Sequence, residues 1–225
     1  MLLISAIALS FPQAGKQGTG DTLNAQAGLV GALFRKNIDG GHFCTASIVH
    51  SPHSNLIATA AHCLAPGDDS VFVPAYSGGR TAHFGVWSIS HVFTPPAWRD
   101  AHDPDADYAF AALRPLSGKN IEQELPGLRL AASSSPGQEV TVIGYPKTHD
   151  TPLHCSAIAG AFGPGQLRVD CPNFTGGTSG SPWIGPAGKL VGVLGGHEGG
   201  GTTPDVSYSP VLGEQARHLY QQATA

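Results

Sequence analysis

The apolar residues of this chain occur in short groups of strand length, and turn-forming residues separate the groups. Residues 29–34, 42–50 and 56–60 are three such groups, divided by stretches rich in Gly, Asn, Pro and Ser. Glycine (30 residues) and proline (18 residues) are frequent, while charged residues make up only 12% of the chain. Because this composition disfavours helices and supplies many turns, the sequence predicts a folded, mostly β protein.

The same pattern continues to the end of the chain. The further strands that we predict cover residues 71–73, 81–89, 91–93, 108–113, 139–146, 153–158, 166–171 and 189–194. Only residues 211–220 carry apolar residues at a spacing that favours a helix.

The four cysteines allow three pairings. Cys44 and Cys63 would lie close together if residues 42–50 and 56–60 formed a hairpin. Cys155 and Cys171 lie on the arms of a second predicted hairpin, around a Gly/Pro turn. We therefore predict the disulfides Cys44–Cys63 and Cys155–Cys171, each stabilising by roughly 3 kcal/mol in the chain-entropy model. They would imply an oxidising compartment, and four buried free thiols are the alternative.

The formal net charge of −4 excludes some classes of partner. Since the chain has no run of Lys or Arg, we expect no nucleic-acid partner and no stable membrane association. The cysteines form no Cys-x-x-Cys unit, so no zinc site is predicted. His50 and His53 flank Pro52 in a predicted turn, and we interpret them as surface histidines rather than metal ligands.

Residues 1–10 are apolar, but no Lys or Arg precedes them, and they are too short to span a bilayer. Three interpretations stay open: the apolar region of a signal peptide, part of a longer leader with a mis-chosen start, or an ordinary first strand. We treat residues 1–20 as a leader or signal remnant and exclude them from the fold argument.

Residues 176–182 read Gly-Gly-Thr-Ser-Gly-Ser-Pro. Glycine permits positive φ, so the chain can turn sharply there and present the hydroxyl of Ser179. The N–H groups of such a turn can converge on a developing oxyanion. Because serine alone is a weak nucleophile, a base is needed. The candidate base is His62, within Thr-Ala-Ala-His-Cys.

Asp107 is the candidate acid that would orient His62. Asp100, Asp103 and Asp105 compete with it, but only Asp107 directly precedes an apolar group, residues 108–113. The same acidic cluster could bind calcium; since it has no EF-hand pattern, we prefer a solvated loop.

These three motifs, in the order His, Asp, Ser, resemble those of the chymotrypsin-like (trypsin-fold) serine peptidases. The Gly-x-Ser-Gly-Ser-Pro form is most similar to the bacterial glutamyl-endopeptidase (V8-like) and secreted actinobacterial branch. The resemblance covers about residues 29–208. It implies two antiparallel six-stranded β-barrels with an active-site cleft between them, and a short C-terminal helix. The implied division is a first barrel at 21–118, a linker at 119–130, a second barrel at 131–210, and a helix and tail at 211–225.

The resemblance also implies roles for individual residues. Ser179 would be the nucleophile, His62 the general base and then acid, and Asp107 the group that holds the imidazole. The N–H groups of Gly177 and Ser179 would form the oxyanion hole. The expected protein is a secreted, monomeric serine endopeptidase that acts on peptide or protein substrates and needs no cofactor or metal.

The substrate pocket departs from the pattern of well-known relatives. Asn173 stands six residues before the serine, where trypsin has Asp, so a pocket for Lys or Arg is not expected. Leu194 aligns with a histidine of the glutamate-specific relatives. The candidate substrate-binding residues are Asn173, Phe174, Gly195, Gly196 and His197.

Two other functions are compatible with parts of the sequence. The first is a catalytically inactive homologue that acts as a binding module. The second is an α/β-hydrolase esterase that uses Ser179, Asp205 and His218, although its Gly-x-Ser-x-Gly motif would need Gly at position 181, where this chain has Ser.

Overall fold

Short strands account for most of the regular structure. The computed structural model describes residues 25–67, 69–78 and 83–225, and the predicted leader at 1–20 lies outside them. The strands are β1 (Val30–Phe34), β2 (Cys44–Val49), β3 (Leu56–Thr59), β4 (Val71–Pro74), β5 (Trp87–Phe93), β6 (Ala109–Leu113), β7 (Arg129–Leu130), β8 (Glu139–Gly144), β9 (Leu153–Ile158), β10 (Gly160–Phe162), β11 (Gln166–Asp170), β12 (Pro182–Gly185), β13 (Lys189–Val193) and β14 (Val206–Pro210). The α-helices are α1 (Pro96–Ala101) and α2 (Glu214–Ala223). None of the described helices is long and apolar enough to cross a membrane.

The first six strands close into a barrel in the order β1-β2-β3-β6-β5-β4. All neighbouring pairs are antiparallel, and the predicted hairpin of β2 and β3 is confirmed. The barrel interior is filled by large apolar side chains, among them Leu33, Ile48, Ile57, Phe72 and Trp87. This packed interior gives the ends of β3 and β6 a rigid support.

The second half forms a five-stranded sheet, β7-β13-β12-β8-β9, and a three-stranded sheet, β10-β11-β14. Only the two-residue β7 pairs in parallel, with β13; the other pairs are antiparallel. Side chains from both sheets share one apolar cluster that includes Val142, Leu167 and Trp183. The predicted all-β, double-barrel class is confirmed, and its second half is hydrogen-bonded as two sheets.

A third apolar cluster joins the two halves. Phe34 and Phe110 of the first half lie in it with Tyr145 and Ile184 of the second half. Leu219 of α2 belongs to the same cluster, and the Tyr220 hydroxyl donates to His50 O at 2.7 Å. The C-terminal helix therefore ties the end of the chain to the first barrel.

The predicted helix was placed too early. We expected residues 211–220, whereas α2 begins at Glu214 and ends at Ala223. Gly213, at φ −98° and ψ −144°, is not helical, so the preceding residues cannot belong to the helix. A further helix, α1, was not predicted from the sequence; it follows Pro95. Pro96 is the first helical residue, where a missing N–H costs nothing.

The predictions of separate strands at 81–89 and 91–93 also differ from the structure. Residues 81–89 were predicted as a strand, but β5 begins only at Trp87 and continues through Ser90 to Phe93. Gly85 precedes β5 at φ +88°, outside the strand region. Residues 81–82 lie outside the described part of the chain.

Both predicted disulfides are present, but one of the two hairpins behind them is wrong. The pairs are Cys44–Cys63 and Cys155–Cys171. Strand β9 pairs with β8, while β11 pairs with β10 and β14. The Cys155–Cys171 bridge therefore links the two sheets of the second half, a role that a hairpin bridge would not have.

Candidate active site

His62 and Asp107 lie at neighbouring strand ends of the first barrel. Thr59, the last residue of β3, is paired with Ala109, the first residue of β6. The chain leaves β3 into a 3₁₀ turn, Ala61–Cys63, and enters β6 from another, Pro104–Ala106. Since the two strands are antiparallel, these turns meet at one edge of the barrel. The strand pairing thus brings together two residues that are 45 positions apart.

Asp107 accepts hydrogen bonds from three N–H groups. Its Oδ2 lies 2.7 Å from His62 Nδ1 and 2.8 Å from Gly196 N, and its Oδ1 lies 2.9 Å from His62 N. The residue is only 1% exposed, whereas the competing Asp100 and Asp105 are exposed. A buried carboxylate is stable only with such partners. It fixes the Nδ1–H tautomer of His62 and leaves Nε2 as an acceptor.

The disulfide Cys44–Cys63 holds the turn that carries His62 against the start of β2. Its Cα atoms are 6.2 Å apart, and Cys63 directly follows His62 in the chain. The two sulfurs and a ring nitrogen of His62 lie within 4.8 Å of one another. Because the sulfurs are bonded to each other, this cluster does not offer thiolate ligands for a metal.

The turn around Ser179 is held by its own backbone. Thr178 N donates to Thr175 O at 3.1 Å, and Ser181 N donates to Thr178 O at 2.9 Å. Gly180 N donates to Leu194 O at 2.7 Å. Gly177 and Gly180 have φ values of +104° and +83°, which favour glycine. The turn therefore holds Ser179, which is half-buried, in a fixed position.

The two peptides that carry the N–H groups of Gly177 and Ser179 are each held by a hydrogen bond to their carbonyl. A trans peptide places its N–H opposite its C=O. The carbonyl of the 176–177 peptide accepts from Lys147 N at 2.8 Å, and that of the 178–179 peptide accepts from Ser181 N. Within the ranges that the structure describes, neither the Gly177 N–H nor the Ser179 N–H donates to a backbone carbonyl. Both donors are thus available to a ligand.

Close contacts between the halves bring Ser179 to the end of the first barrel that holds His62. Thr45 N donates to Ser179 O at 2.8 Å. A Cβ on Gly180 would lie 2.1 Å from Thr59 Oγ1, and one on Gly195 would lie 2.9 Å from an oxygen of Asp107. Among the described residues, His62 forms hydrogen bonds through Nδ1 and its backbone N, and no bond joins Nε2 to Ser179 Oγ. Such bonds often tighten only when substrate binds.

A pocket of about 310 Å³ opens beside Ser179. Its walls come from the serine turn, from the end of β13 and from the loop before β14. No charged side chain and no histidine is among its lining residues, which are Phe174, Thr175, Gly176, Thr178, Ser179, Leu194, Gly199, Gly200, Gly201, Thr202, Thr203 and Pro204.

Of the five substrate-binding residues predicted from the sequence, Phe174 lines this pocket. Asn173, Gly195 and Gly196 are not among the lining residues, and the Gly196 N–H is bonded to Asp107. His197 lies outside the pocket and packs on Phe162 and Tyr208 with ring centroids 4.8 and 4.9 Å away.

Sequence reasoning missed two groups at the site. Thr45, fully buried in β2, contacts the serine turn through its backbone and its hydroxyl. The loop residues 199–204 form much of the pocket. The repeated glycines and threonines of that loop were the available signal, but nothing in them indicated which side of the fold they would face.

His42 is a buried histidine near the site, between the two halves. It donates through Nε2 to His149 O at 3.0 Å and packs edge-on against Phe34, Tyr76 and Tyr145. Burial lowers the pKa of His42, because the cation would lose its hydration there; Lys147 acts in the same direction, while the bond to His149 and the charge of Asp150 oppose it. The neutral imidazole is the form that fits this site.

Comparisons with known proteins agree with this geometry. The model of the trypsin-like peptidase domain matches residues 44–193. The thermostable serine protease AL20 from an extremophilic microorganism has a TM-score of 0.77 and 29% identity, over 89% of this chain and 98% of that chain. The protease Anisep from Arthrobacter nicotinovorans has a TM-score of 0.77 and 25% identity, over 88% and 96%. A Glu endopeptidase has a TM-score of 0.70 at 15% identity, over 88% and 91%, and shows the fold alone. A search of curated proteins found no match.

Proposed function

Because the chain belongs to the trypsin-like peptidases and is a serine-type peptidase, we propose that it cleaves peptide bonds through a Ser179–His62–Asp107 triad and an acyl-enzyme on Ser179. The observation that carries this proposal is the buried carboxylate of Asp107, bonded to His62 Nδ1 at 2.7 Å. This bond leaves Nε2 of His62 as the base, on the side of the imidazole away from Asp107.

The reaction would begin when His62 Nε2 takes the proton of the Ser179 hydroxyl as Oγ attacks the substrate carbonyl. The carbonyl oxygen becomes an oxyanion, and the free N–H groups of Gly177 and Ser179 stabilise it. His62 then gives the proton to the leaving amine, and the C–N bond breaks. Water, deprotonated by His62, attacks the acyl-enzyme, and the proton returns to Ser179 as the acid leaves.

The α/β-hydrolase alternative is wrong: the described strands form one closed antiparallel barrel and two further sheets in which only β7 and β13 pair in parallel, and the described residues form no central parallel sheet with covering helices. The inactive-homologue alternative differs from our proposal in chemistry: it lacks an activated serine.

A fluorophosphonate, which bonds covalently to activated serines, tests the proposed nucleophile directly. We expect one label per molecule, on Ser179, when the purified chain is digested and mapped by mass spectrometry. His62→Ala should abolish labelling, because the base is lost. Correctly folded protein that takes no label, or a label on another serine, would contradict the proposal.

The pocket beside Ser179 is the place where the side chain before the cleaved bond would bind. Its lining is neutral, with the apolar Phe174, Leu194 and Pro204 beside threonine hydroxyls and glycine backbone. A charged side chain would lose water there without gaining an ion pair. We therefore propose that the enzyme cleaves after neutral side chains of medium to large size.

Matched peptide substrates separate charge from shape at this position. Glutamine and glutamate have nearly the same shape, so we expect kcat/KM to be about 100-fold higher after Gln than after Glu, as the cost of an unpaired buried charge implies. Met and Lys form a second pair and should show the same order. Equal or faster cleavage after Glu or Lys would show that a charge partner reaches the pocket.

The two disulfides also bear on where the protein acts. Disulfides form and persist in oxidising compartments, and we propose that the peptidase is secreted and works as a monomer. Secretion is tested by detecting the two disulfides in protein isolated from the culture medium. The monomer is tested by measuring the mass of that protein with size-exclusion chromatography and light scattering.

A further inference from the structure

Thr45 connects the two halves of the molecule at the serine turn. We propose that its side-chain hydroxyl is a positioning group that holds Gly177 in the orientation needed by the oxyanion hole. This inference rests on the proposed function, since it assigns Thr45 a part in the same reaction. Thr45 follows Cys44 in β2 and is 0% exposed.

The hydroxyl of Thr45 bridges two backbone groups of the second half. Its Oγ1 donates to Gly177 O at 3.0 Å and accepts from Tyr145 N at 2.9 Å. A hydroxyl can donate one hydrogen bond and can also accept. The Thr45 hydroxyl therefore donates its single proton to Gly177 O and accepts from Tyr145 N with a lone pair. The bridge joins Tyr145, the residue directly after β8, to the loop that carries the oxyanion donors.

Gly177 needs such a restraint because its own backbone is permissive. It has φ +104° and no side chain to limit rotation of the flanking peptides. A Cβ there would lie 2.6 Å from both Lys147 N and Tyr145 O, so a larger residue could not supply the restraint itself. The loop is held instead at two successive carbonyls, Gly176 O by Lys147 N and Gly177 O by Thr45 Oγ1.

These two bonds together fix the direction of the Gly177 N–H. Lys147 fixes the carbonyl of the 176–177 peptide, which carries this N–H on its opposite side. Thr45 fixes the next peptide, so that rotation about Gly177 is blocked from both sides. Without the hydroxyl, the buried Gly177 carbonyl and Tyr145 N–H would lack partners, and rotation at Gly177 would be the easiest way to find new ones.

The backbone of Thr45 bonds to a different residue of the serine turn, so the role of the hydroxyl can be tested separately. Its N–H donates to Ser179 O, a bond that any residue other than proline would make. The bond to Gly177 is made by the hydroxyl. Thr45→Val removes the hydroxyl and keeps the shape, and Thr45→Ser keeps the hydroxyl and removes the methyl group.

We expect Thr45→Val to lower kcat by about 10- to 100-fold, somewhat less than the loss of an oxyanion donor. KM should change by less than about threefold, because ground-state binding does not use the oxyanion hole. Rates are expressed per active site, and the active sites are counted by end-point fluorophosphonate labelling of Ser179. Unfolded protein therefore does not lower the calculated rate. The initial labelling rate should fall by the same factor as kcat, and Thr45→Ser should restore both to within about threefold of wild type.

Thr141→Val is the control for loss of a threonine hydroxyl elsewhere; Thr141 is on β8 and bonds to Ser156 at the surface. It should keep the wild-type kcat. If Thr45→Val yields no folded protein, Thr45→Ala loses the same hydroxyl without added bulk and is expected to show the same loss. A wild-type kcat per site in the valine or alanine variant, or equal loss in Thr45→Ser, overturns the inference. Absence of label on wild-type Ser179 would overturn the proposed function instead, before any variant is compared.

Discussion

Asp107→Asn should lower kcat by about 10⁴-fold, the size of loss known when the orienting aspartate of such a triad becomes an amide. In the structure Asp107 Oδ2 accepts from both His62 Nδ1 and Gly196 N, while Oδ1 accepts from His62 N. An amide offers one accepting oxygen, so at least one of these N–H groups would face an NH₂ group.

If the NH₂ group replaces Oδ2, His62 must accept at Nδ1 and carry its proton on Nε2. It then cannot take the proton of Ser179. If the amide is flipped, the His62 backbone N–H loses its acceptor and the turn that carries the base is disturbed. Either arrangement removes the base from its working geometry, so activity should be lost even if the chain folds.

Steady-state kinetics on a substrate with a neutral side chain before the cleaved bond measures this effect. Asp105→Asn is the matched control: Asp105 is exposed, and its Oδ1 accepts from Gln166 Nε2 in a bond that an amide oxygen can also make. Surface substitutions of this kind usually change the free energy of unfolding by no more than about 0.5 kcal/mol. More than a tenth of the wild-type kcat in Asp107→Asn would show that another group orients His62.

Gly180→Ala should lower the free energy of unfolding by about 3 kcal/mol or more and abolish activity. Gly180 has φ +83°, where an L-residue is strained. Its new Cβ would also lie 2.1 Å from Thr59 Oγ1 and 2.2 Å from Thr45 O. The second of these atoms is backbone in a closed barrel and cannot move aside.

The serine turn would therefore have to move away from the first barrel, on which it packs, and this would move Ser179 away from His62. Gly188→Ala separates the two causes, because Gly188 has φ +66° and a Cβ added there would meet nothing within 4 Å. It should cost only the strain of a positive φ, about 1–2 kcal/mol. Urea unfolding of both variants gives the comparison. If their free energies of unfolding agree within about 1 kcal/mol, the close approach at Gly180 has no energetic role.

Local patterns were enough to identify two of the candidate residues. The serine turn and the histidine before Cys63 are each recognisable from a few adjacent residues, so the candidates Ser179 and His62 needed no long-range information. Asp107 was distinguished from its acidic neighbours by the apolar group after it. The structure gives the reason. The apolar group contains β6, and Asp107, two residues before β6, is buried at the end of the barrel.

The second disulfide shows how a correct prediction can rest on a wrong local argument. Cys155 and Cys171 were paired because a hairpin was expected to join their strands, yet β9 pairs with β8 and the bridge crosses between sheets. Strand-length groups do not say which strand they pair with. That choice depends on which partners bury the apolar face of each strand, and this is decided by the whole chain.

The sequence by itself determined the strand-rich class, the three candidate catalytic residues and the Cys44–Cys63 bridge, because each depends on neighbouring residues or on a short motif. Only the tertiary structure decided the pairing of the strands other than the β2–β3 hairpin, the neutral pocket formed with residues 199–204, and the place of Thr45 against Gly177. These features join residues far apart in the chain, 132 positions in the last case. Such contacts arise from the packing of two barrels against each other, which no local pattern of residues encodes.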